Sequence, residues 1–162
     1  HIKSLGANVV GVNKRGKKVD GCNEVITIEN IDSVLPKADF LYLAVPETPD
    51  TKNLINNEKL NMLKPTCGIV NVGRQSVMDY DVLCEKLINN EIAGAILDVF
   101  THEPLEASSK LWNTPNLVLT PHVSSDDNGD YVRLTLNIFI KNLKLFLEDK
   151  DLINKIDKKL GY

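Results

Sequence analysis

The chain has 162 residues, 43% of them hydrophobic and 25% charged, with a formal net charge of −3. That length carries one core and fits a single domain. The mild acidic balance excludes a general attraction to nucleic acid or to an anionic membrane surface. No apolar run approaches the roughly 20 residues needed to span a bilayer, and the opening residues do not read as a signal peptide.

Residues 1–5 read as the last turns of a helix stopped at Gly6, which can take the left-handed backbone that ends helices. Residues 7–12 make a short strand, and the polar segment after them is read as loop. A short helix is expected over residues 31–38. Residues 39–46 are almost continuously apolar, as in a parallel strand covered by helices on both faces.

After a turn at residues 48–51, a helix is expected over 57–63, capped by Asn56 or Asn57. A strand follows at 68–72, then an amphipathic helix at 79–89 with Val82, Leu83 and Leu87 on its apolar side. Residues 92–99 and 116–120 read as further strands. The loop 105–115 holds Trp112 and is expected to pack over the sheet edge. From about 130 to 147 the spacing of Tyr131, Leu134, Ile138, Phe139, Leu143 and Phe146 marks a closing helix. Strands alternating with helices define an α/β protein with a doubly wound parallel sheet. Cys22, Cys67 and Cys84 are odd in number and form no C-x-x-C. They point to a reduced, cytoplasmic setting in which thiols serve as small apolar packers.

Chemistry gathers at the ends of the later strands. Residues 93–98 (AGAILD) end on Asp98, and the following VFTHEP brings Glu103 into a turn closed by Pro104. Residues 117–122 (LVLTPH) deliver His122, and residues 67–74 (CGIVNVGR) deliver Arg74. In an α/β protein the carboxyl ends of neighbouring strands converge on one crevice. An acid beside a histidine there is a proton-transfer pair, the carboxylate orienting the imidazole and favouring its charged form. A guanidinium in such a loop suits bidentate recognition of a carboxylate. Arg74, Glu103 and His122 thus read as anchor, orienter and proton donor.

Each also has a plainer reading: a structural arginine paired with a helix end or with Asp79, a turn acid, a hydrogen-bonded strand-end histidine. Asp98, His102, Glu103 and His122 include metal-ligand types, but the adjacent His102 and Glu103 face different points. No metal site is expected, and His102 is read as a surface loop residue.

The segments NVGR (71–74), GAILDVFTHEPL (94–105) and TPH (120–122) resemble, in order and spacing, the nucleotide-binding domain of the D-isomer-specific 2-hydroxyacid dehydrogenases. The resemblance covers nearly the whole chain. It implies a Rossmann-like fold, incomplete at the N-terminus, over residues 1–150, and a tail at 151–162 that in relatives packs toward a substrate domain. It implies an oxidoreductase moving hydride between NAD or NADP and a small 2-keto or D-2-hydroxy acid. Protonated His122 would give its proton to the keto oxygen, Glu103 would hold the ring, and Arg74 would bind the acid. Cofactor contacts are implied at Val45, Pro46, Asn71, Val72, Gly73 and Asp98, and at Arg74 and His122; a cap for the following turn is the plainer reading of Asp98. The full-length protein would be a homodimer, with no nucleic acid or membrane as partner.

Two departures from the family pattern matter. Asn13 stands where NAD-preferring members place an aspartate for the ribose 2′-hydroxyl, and Lys14 and Arg15 follow it, which favours NADP over NAD. A solvated basic loop is the plainer reading of those cations. Gln75 follows the arginine where glycine is usual, which changes the backbone open to that turn, so substrate preference does not transfer from relatives.

The glycine-rich pyrophosphate turn is not found in the chain, and the resemblance places it, with the substrate domain, upstream of His1. The expectation is a fragment that alone binds dinucleotide poorly and turns over nothing. A dinucleotide-sensing module like the corepressors of this fold is the alternative. Formate dehydrogenase-like relatives have glutamine where Glu103 stands.

Overall fold

The computed structural model describes residues 1–127 and 129–158. Its strands are parallel and fall into two groups. β1 (Val10–Asn13) pairs with β2 (Glu24–Thr27), while β3 (Phe40–Leu43), β4 (Gly68–Asn71), β5 (Gly94–Leu97) and β6 (Leu117–Leu119) form a sheet in chain order. With its intervening helices this is an α/β, Rossmann-like arrangement of parallel strands. β2 lies in a segment read as loop from its polar surroundings; Val25, Ile26 and Thr27 are β-branched, and that local preference prevails.

The helix expected at 31–38 is instead two 3-10 turns, Ile28–Ser33 and Leu35–Lys37. Pro36 has no N–H and its ring obstructs the preceding turn, so an α-helix cannot run through it. The opening turn Ile2–Leu5 is also 3-10 and stops where expected, with Gly6 at φ 90. α1 (Asn57–Asn61) is capped by Asn56, whose side chain accepts the Lys59 N–H. α2 (Tyr80–Ile88) is capped by Asp79, which accepts the N–H groups of Asp81 and Val82.

Alternation along the strands separates two faces. Register puts Leu41, Ile69, Ala95 and Leu117 in one row and Leu43, Asn71, Leu97 and Leu119 in the next, all turned toward α1, α2 and the buried Leu60, Leu83 and Leu87. The outward row Tyr42, Val70, Ile96 and Val118 is differently placed: Tyr42 is 59% exposed, Ile96 42% and Val118 55%. Among the described residues this outward face is left largely open, within a parallel arrangement consistent with a doubly wound topology. Right-handed crossovers explain why: β3 to β6 advance in one direction across the sheet, so each connecting helix lands on the same side. α3 (Tyr131–Leu147), expected to close the core, buries none of its residues.

In the loop 105–115, Leu105 packs against the core, but Trp112 is not among the residues that do. It is 55% exposed and donates from Nε1 to the Glu106 carbonyl at 2.9 Å, while its neighbour Leu111 enters the core. Cys67 and Cys84 are buried, Cys22 is half-buried, and all are free thiols. Of the tail, Ile153 is tied to α3 by two hydrogen bonds with the Asn142 amide; residues 159–162 lie outside the described residues. No helix among the described residues is long and apolar enough to cross a membrane.

Candidate active site

The level row Leu43, Asn71, Leu97 and Leu119 brings four strands to their carboxyl ends together. The segments that continue past it are those holding Val45 and Pro46, Val72 to Arg74, Asp98 to Glu103, and Thr120 to His122. The ends of β3 and β4 meet closely. A Cβ on Gly73 would lie 2.7 Å from the Val45 carbonyl oxygen, so only glycine lets these two backbones approach.

Asn71 is a polar residue in an apolar row, wholly buried, and burial without partners would be costly. Its Oδ1 accepts the Gly73 N–H at 3.0 Å, and its Nδ2 donates to the Arg74 carbonyl at 3.1 Å and to the Tyr80 hydroxyl at 3.0 Å. Tyr80 in turn donates to the Val99 carbonyl at 3.1 Å. Burial, only partly offset by the Asn71 bond, pushes the phenol pKa up, so the hydroxyl stays protonated as a donor. This network joins the turn after β4 to the segment after β5. What Asn71 lends the site is shape, from beneath.

Asp98 is 1% exposed and holds the histidine loop. Its Oδ1 accepts from the Thr120 hydroxyl at 2.5 Å and the Val123 N–H at 2.9 Å, and its Oδ2 accepts the Ser124 N–H at 2.9 Å. Burial by itself would raise the carboxyl pKa, but these donors outweigh it and bring it down to about 2. Between them His122 takes φ 56, a left-handed backbone that non-glycine residues adopt at a cost. The carboxylate fixing Val123 and Ser124 holds that conformation in place.

His122 Nδ1 lies 2.8 Å from Glu103 Oε2, with both side chains partly open to solvent. Glu103 is steadied by its Oε1, which accepts the Phe100 N–H at 2.9 Å. The His122 bond first, then the Phe100 N–H, lowers the Glu103 pKa below the usual carboxylate value, and the Arg74 guanidinium adds to the lowering. Arg74 follows the end of β4, the strand paired with β5, whose following segment carries Glu103. Arg74 itself is exposed, its Nη1 donating to the Gly73 carbonyl at 2.7 Å, while Asp79 is occupied in capping α2. His102 is exposed, and no group of three metal-ligand side chains occurs among the described residues.

Away from this cluster, Asn13 ends β1 and shapes its own loop. Its Oδ1 accepts the N–H groups of Arg15 and Lys17, and its Nδ2 donates to the Lys17 carbonyl at 2.8 Å. Lys14 pairs with Asp50 at 2.5 Å, joining this loop to the turn beyond Pro46. Pro46 accepts the Thr51 hydroxyl at 2.7 Å through its carbonyl. Sequence reading passed over Tyr80, Thr120 and Ser124. Tyr80 resembles any apolar helix residue, Thr120 is the first residue of the TPH segment and Ser124 lies just past it, and neither hydroxyl residue carries a signal of its partner Asp98.

Residues 1–124 match the model of the D-isomer specific 2-hydroxyacid dehydrogenase NAD binding domain. The chain belongs to that family. A glyoxylate/hydroxypyruvate reductase B of Pectobacterium carotovorum is 43% identical over 96 residues, 59% of this chain and 30% of the relative. Among solved structures, a D-isomer specific 2-hydroxyacid dehydrogenase from Xanthobacter autotrophicus, in complex with NADPH and MES, superposes with a TM-score of 0.88 at 30% identity, covering 97% of this chain and 64% of the other. An NADPH-dependent glyoxylate/hydroxypyruvate reductase from Sinorhizobium meliloti, in complex with NADP and sulfate, superposes at 0.89 with 28% identity, covering 99% and 51%. The chain spans about half, or less, of the length of the curated relatives it matches first.

Proposed function

We propose that the full-length protein carrying this chain is an NAD(P)-dependent reductase of small 2-keto acids that yields D-2-hydroxy acids. The observation that carries the reading is the Glu103–His122 hydrogen bond at 2.8 Å within the field of Arg74. The residues present suit a dinucleotide. Strand ends stand level, Gly73 lets two of them close up, and a loop with Lys14 and Arg15 lies at the end of β1. Val45, Pro46, Val72, Gly73 and Asp98 would lie along its nicotinamide side.

When bound, the nicotinamide supplies or accepts the hydride. The chain's own residues do the rest. Arg74 grips the substrate carboxylate, and its fixed charge orients the keto group. Because Nδ1 of His122 faces Glu103, Nε2 is the ring nitrogen left for the substrate oxygen. His122 protonates that oxygen in reduction and removes the proton in oxidation. Glu103 holds the ring plane and tautomer, and Asp98 holds the backbone that carries it.

NADP is the favoured cofactor. Asn13 brings no carboxylate to repel a 2′-phosphate, and Lys14 and Arg15 supply cations; the NADP(H) complexes of the Xanthobacter and Sinorhizobium relatives support the same choice. We place the enzyme in the cytoplasm, in line with its free cysteines, and infer a homodimer, which would give the outward sheet face or α3 something to pack against. The test is an assay of full-length protein with NADPH or NADH against glyoxylate, hydroxypyruvate, pyruvate and phenylpyruvate. Cofactor oxidation with at least one acid is expected. None with any would favour a dinucleotide-sensing module instead.

A further inference from the structure

We propose that Gln75 and Thr101 form a clasp that positions Arg74 relative to Glu103 and His122. The proposal rests on the functional reading above and extends it to two residues beyond Arg74, Glu103 and His122. The Thr101 hydroxyl donates to Gln75 Oε1 at 2.8 Å, across 26 positions of sequence. Gln75 directly follows Arg74 and opens the 3-10 turn Gln75–Val77; Thr101 lies between Phe100 and Glu103, in the turn whose N–H steadies the Glu103 carboxylate. One hydrogen bond therefore joins the loop that carries the anchor to the loop that carries the orienter.

The Gln75–Val77 turn is gripped from its other side as well. The Ser76 hydroxyl donates to Glu47 Oε2 at 2.6 Å, and Asn53 donates its N–H to the Ser76 carbonyl at 2.7 Å. The turn after β4 is thus fixed to the segment after β3, and the clasp makes the Thr101 turn follow it. Beneath, the Asn71–Tyr80–Val99 network sets the distance between the two segments. Above, the clasp stands in the wall shared by two open clefts of about 340 and 430 Å³. Thr101, His102 and Glu103 are exposed there, between Phe100 and Leu105 packed on the core, so a directional bond has leverage on where Glu103 points. A glycine at position 75, as the family pattern has it, could form no such bond.

The test uses the full-length protein and near-isosteric variants. Q75M removes the acceptor, T101V removes the hydroxyl, and T101S keeps it. Each loss variant should lower kcat/KM for the preferred 2-keto acid about three- to tenfold, the range of one neutral hydrogen bond. KM for the cofactor should stay unmoved. Q75M/T101V should be no worse than either single variant, and T101S should stay within about twofold of the parent. Unchanged kcat/KM in both loss variants, or losses that multiply in the double variant, would overturn the clasp.

A second readout needs no turnover: the Glu103 carboxyl titration followed by carbon-13 NMR. In Q75M and T101V, but not T101S, it should move up toward the ordinary glutamate value, because the bonds that hold it down are loosened. If the parent protein reduces no 2-keto acid, the functional reading fails and this titration alone decides the clasp, an unmoved Glu103 sinking it.

Discussion

The carboxylate of Asp98 holds His122 without touching its ring: it accepts the N–H groups of Val123 and Ser124, the two residues after a histidine at φ 56. The left-handed backbone there is kept by a buried charge. Removing that charge should release the loop. D98A would strand two N–H donors and cost about 2–4 kcal/mol of stability, and D98N, which keeps an acceptor, about half of that. Chemical denaturation checks the ordering.

The same carboxylate gives a pH dependence with a definite sign. Its pKa is depressed in the folded protein, from 3.8 to about 2. Its contribution is fully present above pH 3.8 and is lost as pH falls through about 2, so acid should weaken the histidine loop in that window. Amide exchange of Val123 and Ser124, measured stepwise from pH 5 to pH 2, should show protection falling there in the parent chain and flat in D98N.

Replacing the proton donor should strike turnover and spare binding. H122N in the full-length protein is expected to lower keto-acid reduction by about 10²- to 10⁴-fold. Cofactor fluorescence titration should stay within about threefold of the parent. E103Q keeps the shape but loses the charge, and a fall of about ten- to a hundredfold in kcat is expected. Stopped-flow single turnovers would show whether the chemical step carries the loss.

The network below the anchor is open to a one-atom test. Y80F deletes the hydroxyl that joins Asn71 to the Val99 carbonyl and should cost about 1–2 kcal/mol. In the parent, burial holds the Tyr80 pKa above the ordinary tyrosine value. Ultraviolet difference titration of the parent against Y80F should accordingly place the Tyr80 ionisation above the ordinary tyrosine range.

Cofactor choice can be read from the basic loop. K14A/R15A should raise KM for NADPH about tenfold or more and leave KM for NADH nearly unmoved. Equal effects on both would assign the loop to solvation alone.

Much of this was legible before any coordinates. Asp98, Glu103 and His122 each follow an apolar strand run, and period-two burial together with the rule that strand ends converge was enough to bring them to one edge. Asn56 caps its helix because a short polar side chain precedes apolar periodicity, whereas Asp79, read as the first residue of its helix, stands one place before it as the cap. What stayed hidden depends on distant partners. The Tyr80 hydroxyl looked like any aromatic helix residue until Asn71 and Val99 were brought to it. β2 is only four residues long and sits in polar company. The exposure of α3 could not be read from its own spacing either, because an amphipathic pattern states which side wants cover and not whether a neighbour arrives.

The one-way advance of β3 to β6 has a practical outcome at the bench. A lamina that is oily on both sides but clothed on one should seek a lid, and Tyr42, Ile96 and Val118 are where a lid would seat. Handled by itself, this polypeptide should light up hydrophobic dyes and come out of solution as sulfate is raised, since excluded salts strengthen apolar contact. Charged replacements at positions 96 and 118 should quiet both behaviours while the crest above keeps its geometry.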